Sequence, residues 1–326
     1  MEAITYLEAI SEGLREEMRQ DESVFCLGED IGAYGGAFKI TKGFLEEFGE
    51  DRVIDTPLAE SAIIGAALGA AIMGMRPVAE MQFADFITSG FNQIVNNAAK
   101  THYRWGAAVP MVIRCPSGAM GNGGPFHSQN PEAWFFRVPG LKIVAPSTPY
   151  DAKGLIKSSI RDNNPVLYFE HKGLYRDTKI KAELPEDDFV VPIGEGVIRR
   201  EGKDLTIITY GMMVHRSLEA AEQLSEEGVA VEVIDLRSLL PFDKNMILES
   251  VKKTNRLLIV HEDTLTGGIG GEMAAIIADE AFEYLDAPIK RVAAIDTPVP
   301  FSPPLEEFFL PNTEKITAAL KDLAAY

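Results

Sequence analysis

Only two cysteines, Cys26 and Cys115, occur in 326 residues. They cannot build a disulfide framework or a zinc site, and without a CxxC pair there is no redox motif. The five histidines are scattered, with no HExxH spacing. Basic charge is also scarce: 31 Lys and Arg stand against 49 Asp and Glu, a net charge of −18. That balance argues against a general nucleic-acid or anionic-membrane binder, which needs a basic face. The uncharged run Ser61–Met75, bounded by Glu60 and Arg76, is fifteen residues rich in Gly and Ala. It is shorter than the ~20 apolar residues needed to span a bilayer. The first residues, MEAITYLEAISEGLREEM, carry acids and a helical rhythm, unlike a signal or Arg-rich transit peptide. A prokaryotic cytoplasmic chain, or a processed chain of an organelle matrix, is the expectation.

What is present is an ordinary globular composition, 46% hydrophobic and 25% charged. At ~150 residues per domain the length suggests two domains. Ile4, Leu7, Ile10, Leu14 and Met18 recur at helical steps. Strand and helix then alternate: strands at 23–27, 53–54, 77–80, 111–114, 141–144 and 166–170; helices at 61–74, 84–103 and 150–161. Gly65 and Gly69 share a face of the second of these helical stretches and would admit a close backbone. This alternation predicts an α/β fold with parallel strands covered on both faces. The rhythm stops around Glu183–Asp188 and resumes with strands at 205–210, 229–234 and 256–260 and helices at 214–226, 244–252 and 271–282. The expected division is 1–180, a linker at 181–200, and 201–326.

In open parallel sheets ligands sit at the carboxyl ends of strands. Glu60 falls there, before the small-residue helix; partial burial would suit it to share a proton with a nitrogen base. The same pattern fits a plain acid at a helix N-terminus. Glu29 follows the first strand, as a pocket acid or a solvated turn residue. The loop Ser117–Asn130, with Gly118, Gly121, Gly123, Gly124 and Pro125, presents His127, a candidate acid/base or an exposed loop histidine. Phe83 and Phe86 could make an aromatic platform or simply pack. Gly267–Gly271 lacks both GxGxxG and GxxxxGK[ST] spacing and reads as a close turn into a helix. From residue types alone the catalytic set is incomplete.

These stretches, in order, carry a resemblance. Asp55-Thr-Pro-Leu-Ala-Glu60, Arg76-Pro-Val-Ala-Glu80, Phe83-Ala-Asp-Phe86, His127-Ser-Gln129, Pro139-Gly-Leu-Lys142, Tyr150-Asp-Ala-Lys-Gly154 and Arg161-Asp-Asn-Asn-Pro165 are followed by Thr209-Tyr-Gly211, Val233-Ile-Asp-Leu-Arg237 and His261-Glu262. Over essentially the whole chain they resemble the beta subunit of the decarboxylating component of 2-oxo acid dehydrogenase complexes, of pyruvate, branched-chain or acetoin type. The resemblance implies a transketolase-like α/β architecture, with a pyrimidine-binding domain and a transketolase C-terminal domain. It implies thiamine diphosphate as cofactor, with magnesium held by a separate alpha subunit through a Gly-Asp-Gly motif. This chain contains no Gly-Asp-Gly. It implies an α2β2 heterotetramer and a lipoyl-bearing dihydrolipoyl acyltransferase core as acceptor. The C-terminal half of a split transketolase is the alternative outside this class.

By position, the resemblance makes Glu60 the glutamate on the cofactor's pyrimidine ring and Phe86 the aromatic stacked on it. Leu58 becomes a neighbour of the cofactor, and Glu29 a second acid lining its pocket. His127 becomes the histidine of reductive acylation. A potassium ion on the backbone carbonyls of Met111, Ser159, Ile160, Asp162 and Asn164 is also implied. Arg137 stands where many relatives carry histidine, and no catalytic role is assigned to it.

Overall fold

The computed structural model describes residues 3–119 and 121–326; Met120, in the Gly-rich loop, lies outside the described residues. The chain separates into two compact units: 1–118 with 126–193, and 119–125 with 194–326.

The first unit opens with helix α1 (Tyr6–Gln20), started by a capping box. Thr5 Oγ1 accepts from Glu8 N–H at 3.2 Å, and the Glu8 carboxylate accepts from Thr5 N–H at 2.7 Å, so two otherwise unpaired donors are satisfied. Its stripe of Ile10, Leu14 and Met18 is fully buried, each side chain worth about 1.5–3 kcal/mol of burial. Strands β1 (Val24–Gly28), β2 (Val53–Asp55), β3 (Arg76–Glu80), β4 (Val112–Ser117), β5 (Lys142–Val144) and β6 (Val166–His171) form its sheet. They lie in the order β5-β6-β4-β3-β1-β2 and all pair parallel. Helices α2 (Phe44–Phe48), α3 (Glu60–Ile72), α4 (Ala99–Trp105), α5 (Glu132–Phe136) and α6 (Pro149–Arg161) connect them. Parallel order brings the chain back to the same edge after every strand, so the segments after β1, β3, β4 and β6 all leave from the carboxyl end of the sheet.

Beneath that end lies a buried ion cluster. Arg114 of β4, 1% exposed, reaches Glu170 of β6 bidentately at 2.6 and 2.8 Å and Glu80 of β3 at 2.5 Å. Tyr175 O–H donates to Glu170 at 2.8 Å. Burial pushes the Glu80 carboxyl pKa up, with Arg114 opposing. The cluster fixes the heights of three adjacent strands in register, Glu80 facing Arg114 across β3 and β4.

The continuous helix expected over 84–103 is broken in the structure. A 3-10 turn runs Ala84–Gly90, a π-helical turn Gln93–Ala98, and only Ala99–Trp105 is α-helical. Short polar side chains compete with the helical ladder here. Thr88 O–H donates to Asp85 O at 3.1 Å, and Asn97 reaches Asn92 O, five residues back, at 3.4 Å. At Gly90 a Cβ would lie 2.2 Å from Ile64, which admits α3 closely. The close approach expected at Gly65 and Gly69 is not made within this chain: the nearest atom to a Gly65 Cβ is Gln93 Cγ at 3.8 Å, and nothing comes within 4 Å at Gly69.

In the second unit β7 (Val197–Arg200) falls in the segment expected as linker. It is followed by β8 (Leu205–Thr209), α7 (Met212–Ser225), β9 (Val231–Asp235), β10 (Ser238–Leu240), α8 (Lys244–Thr254), β11 (Leu257–Thr264), α9 (Gly270–Glu280), β12 (Lys290–Ala294), α10 (Pro303–Phe309) and α11 (Thr313–Ala324). The sheet order is β12-β11-β8-β9-β7, with β7 antiparallel and the rest parallel. Alternate residues of β8, β9 and β11 (Leu205, Ile207, Val231, Val233, Leu258, Val260) pack with Leu224 of α7 and Leu320 of α11. Gly268 and Gly270 lie against the His261 ring, where any Cβ would come within 3 Å of it, so the expected close turn into α9 is present. No described helix is long and apolar enough to cross a membrane.

Candidate active site

The candidate pocket residues of the first unit lie on segments that follow strands. Glu29 follows β1 and is 5% exposed. Its carboxylate accepts from Ala59 N–H, at the mouth of α3. Burial raises its pKa most, the Glu60 and Asp30 charges raise it further, and the Ala59 bond offsets part of this. Its Oε1 is buried with no hydrogen-bond partner. Glu60 is the first residue of α3 and half-buried. The structure thus brings Glu29 and Glu60 to one helix N-terminus, a juxtaposition their spacing in sequence does not reveal. Leu58, just upstream, is 79% exposed.

The segment after β3 supplies the aromatic part. The Phe83 ring meets Phe86 at 5.6 Å and 71°, Phe38 at 5.5 Å and 78°, and His127 at 4.6 Å and 89°. Phe86 meets His127 at 5.5 Å and 77°. The half-buried imidazole is held between two ring neighbours in edge-to-face geometry, the preferred arrangement of aromatic quadrupoles. Lys172, after β6, places its ammonium 5.6 Å from the Phe83 centroid, within cation–π range. Lys172 was not expected at the site; the only hint in sequence is its place directly after a buried strand.

The loop that carries His127 is closed at its neck by Gly118 and Gln129, with Gly118 N–H donating to Gln129 O at 3.2 Å. Position 118 requires glycine: φ is +83°, and a Cβ would lie 2.1 Å from His171 Nε2. Gln129 in turn donates to buried Asp85 through its backbone N–H (3.2 Å) and its side-chain amide (3.0 Å). Within the second unit, Glu262 accepts from Ala119 N–H at 2.7 Å and Glu306 from Gly121 N–H at 2.8 Å.

The carbonyl set Met111, Ser159, Ile160, Asp162 and Asn164 gathers around the end of α6 and the start of β4. Met111 O accepts from Val166 N–H at 3.0 Å, and Ile160 O and Asp162 O accept from Arg76 Nη1 at 2.8 and 3.0 Å. A carbonyl oxygen has two lone pairs, so one on each of these three stays available.

Residues 2–178 match the model of the transketolase pyrimidine-binding domain, and residues 194–316 that of the transketolase C-terminal domain. The fold agrees: a solved structure titled as a split-gene transketolase, an inactive beta4 tetramer, superposes with a TM-score of 0.81 over 99% of both chains at 24% identity. The 2-oxoisovalerate dehydrogenase subunit beta of Bacillus subtilis is 52% identical over 100% of both chains. The acetoin:2,6-dichlorophenolindophenol oxidoreductase subunit beta of the same organism is 45% identical over 98% of this chain and 97% of that one. The pyruvate dehydrogenase E1 component subunit beta of Staphylococcus epidermidis is 45% identical over 98% of both. The chain belongs to the transketolase-like family of beta subunits of the decarboxylating component of 2-oxo acid dehydrogenases. Membership makes it part of an oxidoreductase of that type, dependent on thiamine diphosphate and on an alpha partner subunit.

Proposed function

We propose that this chain supplies the pyrimidine-side half of the active site of a branched-chain 2-oxo acid dehydrogenase. In this reading the alpha subunit of an α2β2 assembly supplies the diphosphate and magnesium side, and the acyl group passes to a lipoyl-bearing acyltransferase core. The observation that carries it is the meeting, at one sheet end, of the Glu29–Glu60 pair and the His127–Phe83–Phe86 cluster. The branched-chain preference rests on the 52% identity to the Bacillus subtilis 2-oxoisovalerate relative against 44% to 47% for acetoin and pyruvate relatives; acetoin is the second reading.

The residues fit the cofactor. A polar group is wanted in this pocket: Glu29, whose charge neighbours that of Glu60, leaves a buried carboxylate oxygen without a hydrogen-bond partner. Thiamine diphosphate, when bound, supplies the carbon nucleophile and the electron sink for decarboxylation. Glu60 would hold a proton at the pyrimidine nitrogen, and Phe86 and Leu58 would wall the ring. Glu29 would pass a proton beside it. His127 would protonate the sulfur released when the lipoyl disulfide opens. Potassium would bind at the carbonyls of Met111, Ser159, Ile160, Asp162 and Asn164, where the C-terminal end of α6 favours a cation.

The test is co-expression with its alpha subunit, followed by turnover of 2-oxoisovalerate, pyruvate and acetoin with and without thiamine diphosphate. Cofactor-dependent turnover fastest on 2-oxoisovalerate, lost in Glu60→Gln, is the expected result. Equal turnover by Glu60→Gln would overturn the assignment of the pyrimidine side to this residue. A melting temperature raised by KCl but not by NaCl is expected of the potassium site.

A further inference from the structure

Asp85 is a buried carboxylate, 5% exposed, lying between the two phenylalanines that hold His127. Its Oδ1 takes two hydrogen bonds from Gln129, one from the backbone and one from the side chain, while its Oδ2 is buried with no hydrogen-bond partner. Gln129 is thereby fixed at three points: its N–H and amide on Asp85, and its carbonyl under Gly118 N–H. His127 lies two residues upstream of that fixed point. One 3-10 turn, with the residue before it, therefore provides the ring neighbours of the imidazole, through Phe83 and Phe86, and the anchor of the loop that carries it, through Asp85.

Phe83 is extended and precedes the turn, while Asp85 and Phe86 lie within it. From these positions Asp85 bonds Gln129 and both rings reach His127. A buried acid bonded only to solvate its own charge would be served by any donors. Here both donors come from one residue, in the loop that delivers the imidazole.

We infer that Asp85 is a positioning residue for His127: by clamping Gln129 it sets where the imidazole stands and thereby orients proton delivery to the opened lipoyl sulfur. The proton-delivery part rests on the function proposed above; the clamp does not.

The test uses the alpha–beta assembly carrying Asp85→Ala, Gln129→Glu, or the exchange Asp85→Asn with Gln129→Glu. The exchange keeps an oxygen at position 85 for the backbone N–H of 129 and reverses the side-chain bond, amide now donating to carboxylate. The first readout is the rate at which diethylpyrocarbonate modifies His127, followed by peptide mass spectrometry, with exposed His102 as internal reference. The second is the ratio of acyl transfer to lipoyl domain over decarboxylation read with an artificial dye acceptor. Each single substitution is expected to raise His127 modification at least fivefold relative to His102 and to lower the ratio at least fivefold. The exchange is expected to bring both within twofold of the unmodified protein. A folded Gln129→Glu or exchange variant decides the matter if Asp85→Ala does not assemble. Modification rates unchanged by Gln129→Glu, or no recovery in the exchange, would overturn the clamp. If His127→Asn transfers acyl groups normally while the modification rates behave as expected, the clamp stands and the proposed role of His127 is what fails.

Discussion

The His127 imidazole stands perpendicular to the Phe83 ring, centroids 4.6 Å apart and planes at 89°. Such a contact fixes the tilt of a ring without consuming either nitrogen, which leaves both for chemistry. Replacing His127 by Asn should cut acyl transfer to lipoamide by about 10²–10⁴-fold, the usual worth of a positioned proton donor. Decarboxylation coupled to a dye acceptor should fall far less. Phe83→Leu should lower transfer while costing about 0.5–1.5 kcal/mol of stability, the value of an aromatic pair. Parallel assays of the two half-reactions, with urea denaturation, check both.

Glu29 is an acid kept where its charge is disfavoured. Its folded pKa lies above its ordinary value through burial and the charge of Glu60. Between the ordinary carboxyl pKa and this raised one, the folded state holds more protons than the unfolded, so stability falls as pH rises through that window and stays reduced above it. Glu29→Gln should therefore raise the melting temperature of the assembly at pH 8, with the gain disappearing as pH is lowered through the window. Activity should drop in the same variant if Glu29 acts as proposed, a site residue kept at a cost in stability. A melting series from pH 4 to 8 beside turnover measurements reads both effects.

Arg114 neutralises Glu80 and Glu170 inside the sheet. Arg114→Met leaves two carboxylates buried without their partner and should cost about 3–5 kcal/mol. Changing Glu80 and Glu170 to Gln in the same chain should recover part of that loss. The urea midpoint of the assembly measures it.

His261 is fully buried, with Nδ1 3.1 Å from Asp263 O and Nε2 lacking a hydrogen-bond partner. Burial lowers its pKa to about 4. The unfolded chain binds this proton near pH 6.5 and the folded chain only near 4, so stability contributed by His261 is lost as pH falls through that interval, by about 3 kcal/mol in full. Asp263, raised to about 6 chiefly by burial, works in the opposite sense. His261→Gln should remove the acid-side loss and leave a protein whose stability holds or increases from pH 6.5 to 4. Urea denaturation at half-unit steps checks the slope.

Glu60, His127 and Phe86 stand out in the sequence because Glu60 precedes a run of small residues, His127 sits in a Gly-rich loop and Phe86 belongs to an aromatic pair; the structure sets His127 against Phe83 and Phe86. The alternation of strands and helices was legible for the same reason that parallel strands are: both faces are covered, so each reads as a short apolar run. Asp85 was not legible, since an acid between two phenylalanines reads as the polar side of a helix, and its partner Gln129 lies 44 residues away in sequence. Nor was the meeting of Glu29 with Glu60, which depends on β1 and α3 sharing one end of the sheet. The Gly-rich loop read as one segment, yet its residues 119–125 pack with the second unit while Gly118 and Phe126 belong to the first.

The site segments leave from five parallel strands, three of them tied beneath by Arg114, Glu80 and Glu170. Each can therefore lengthen, shorten or change its side chains without shifting the footing of the others. Selectivity for the acyl chain and the chemistry of proton transfer can drift independently in such a frame. Relatives acting on 2-oxoisovalerate, acetoin and pyruvate can accordingly share one scaffold and differ in the segments it carries.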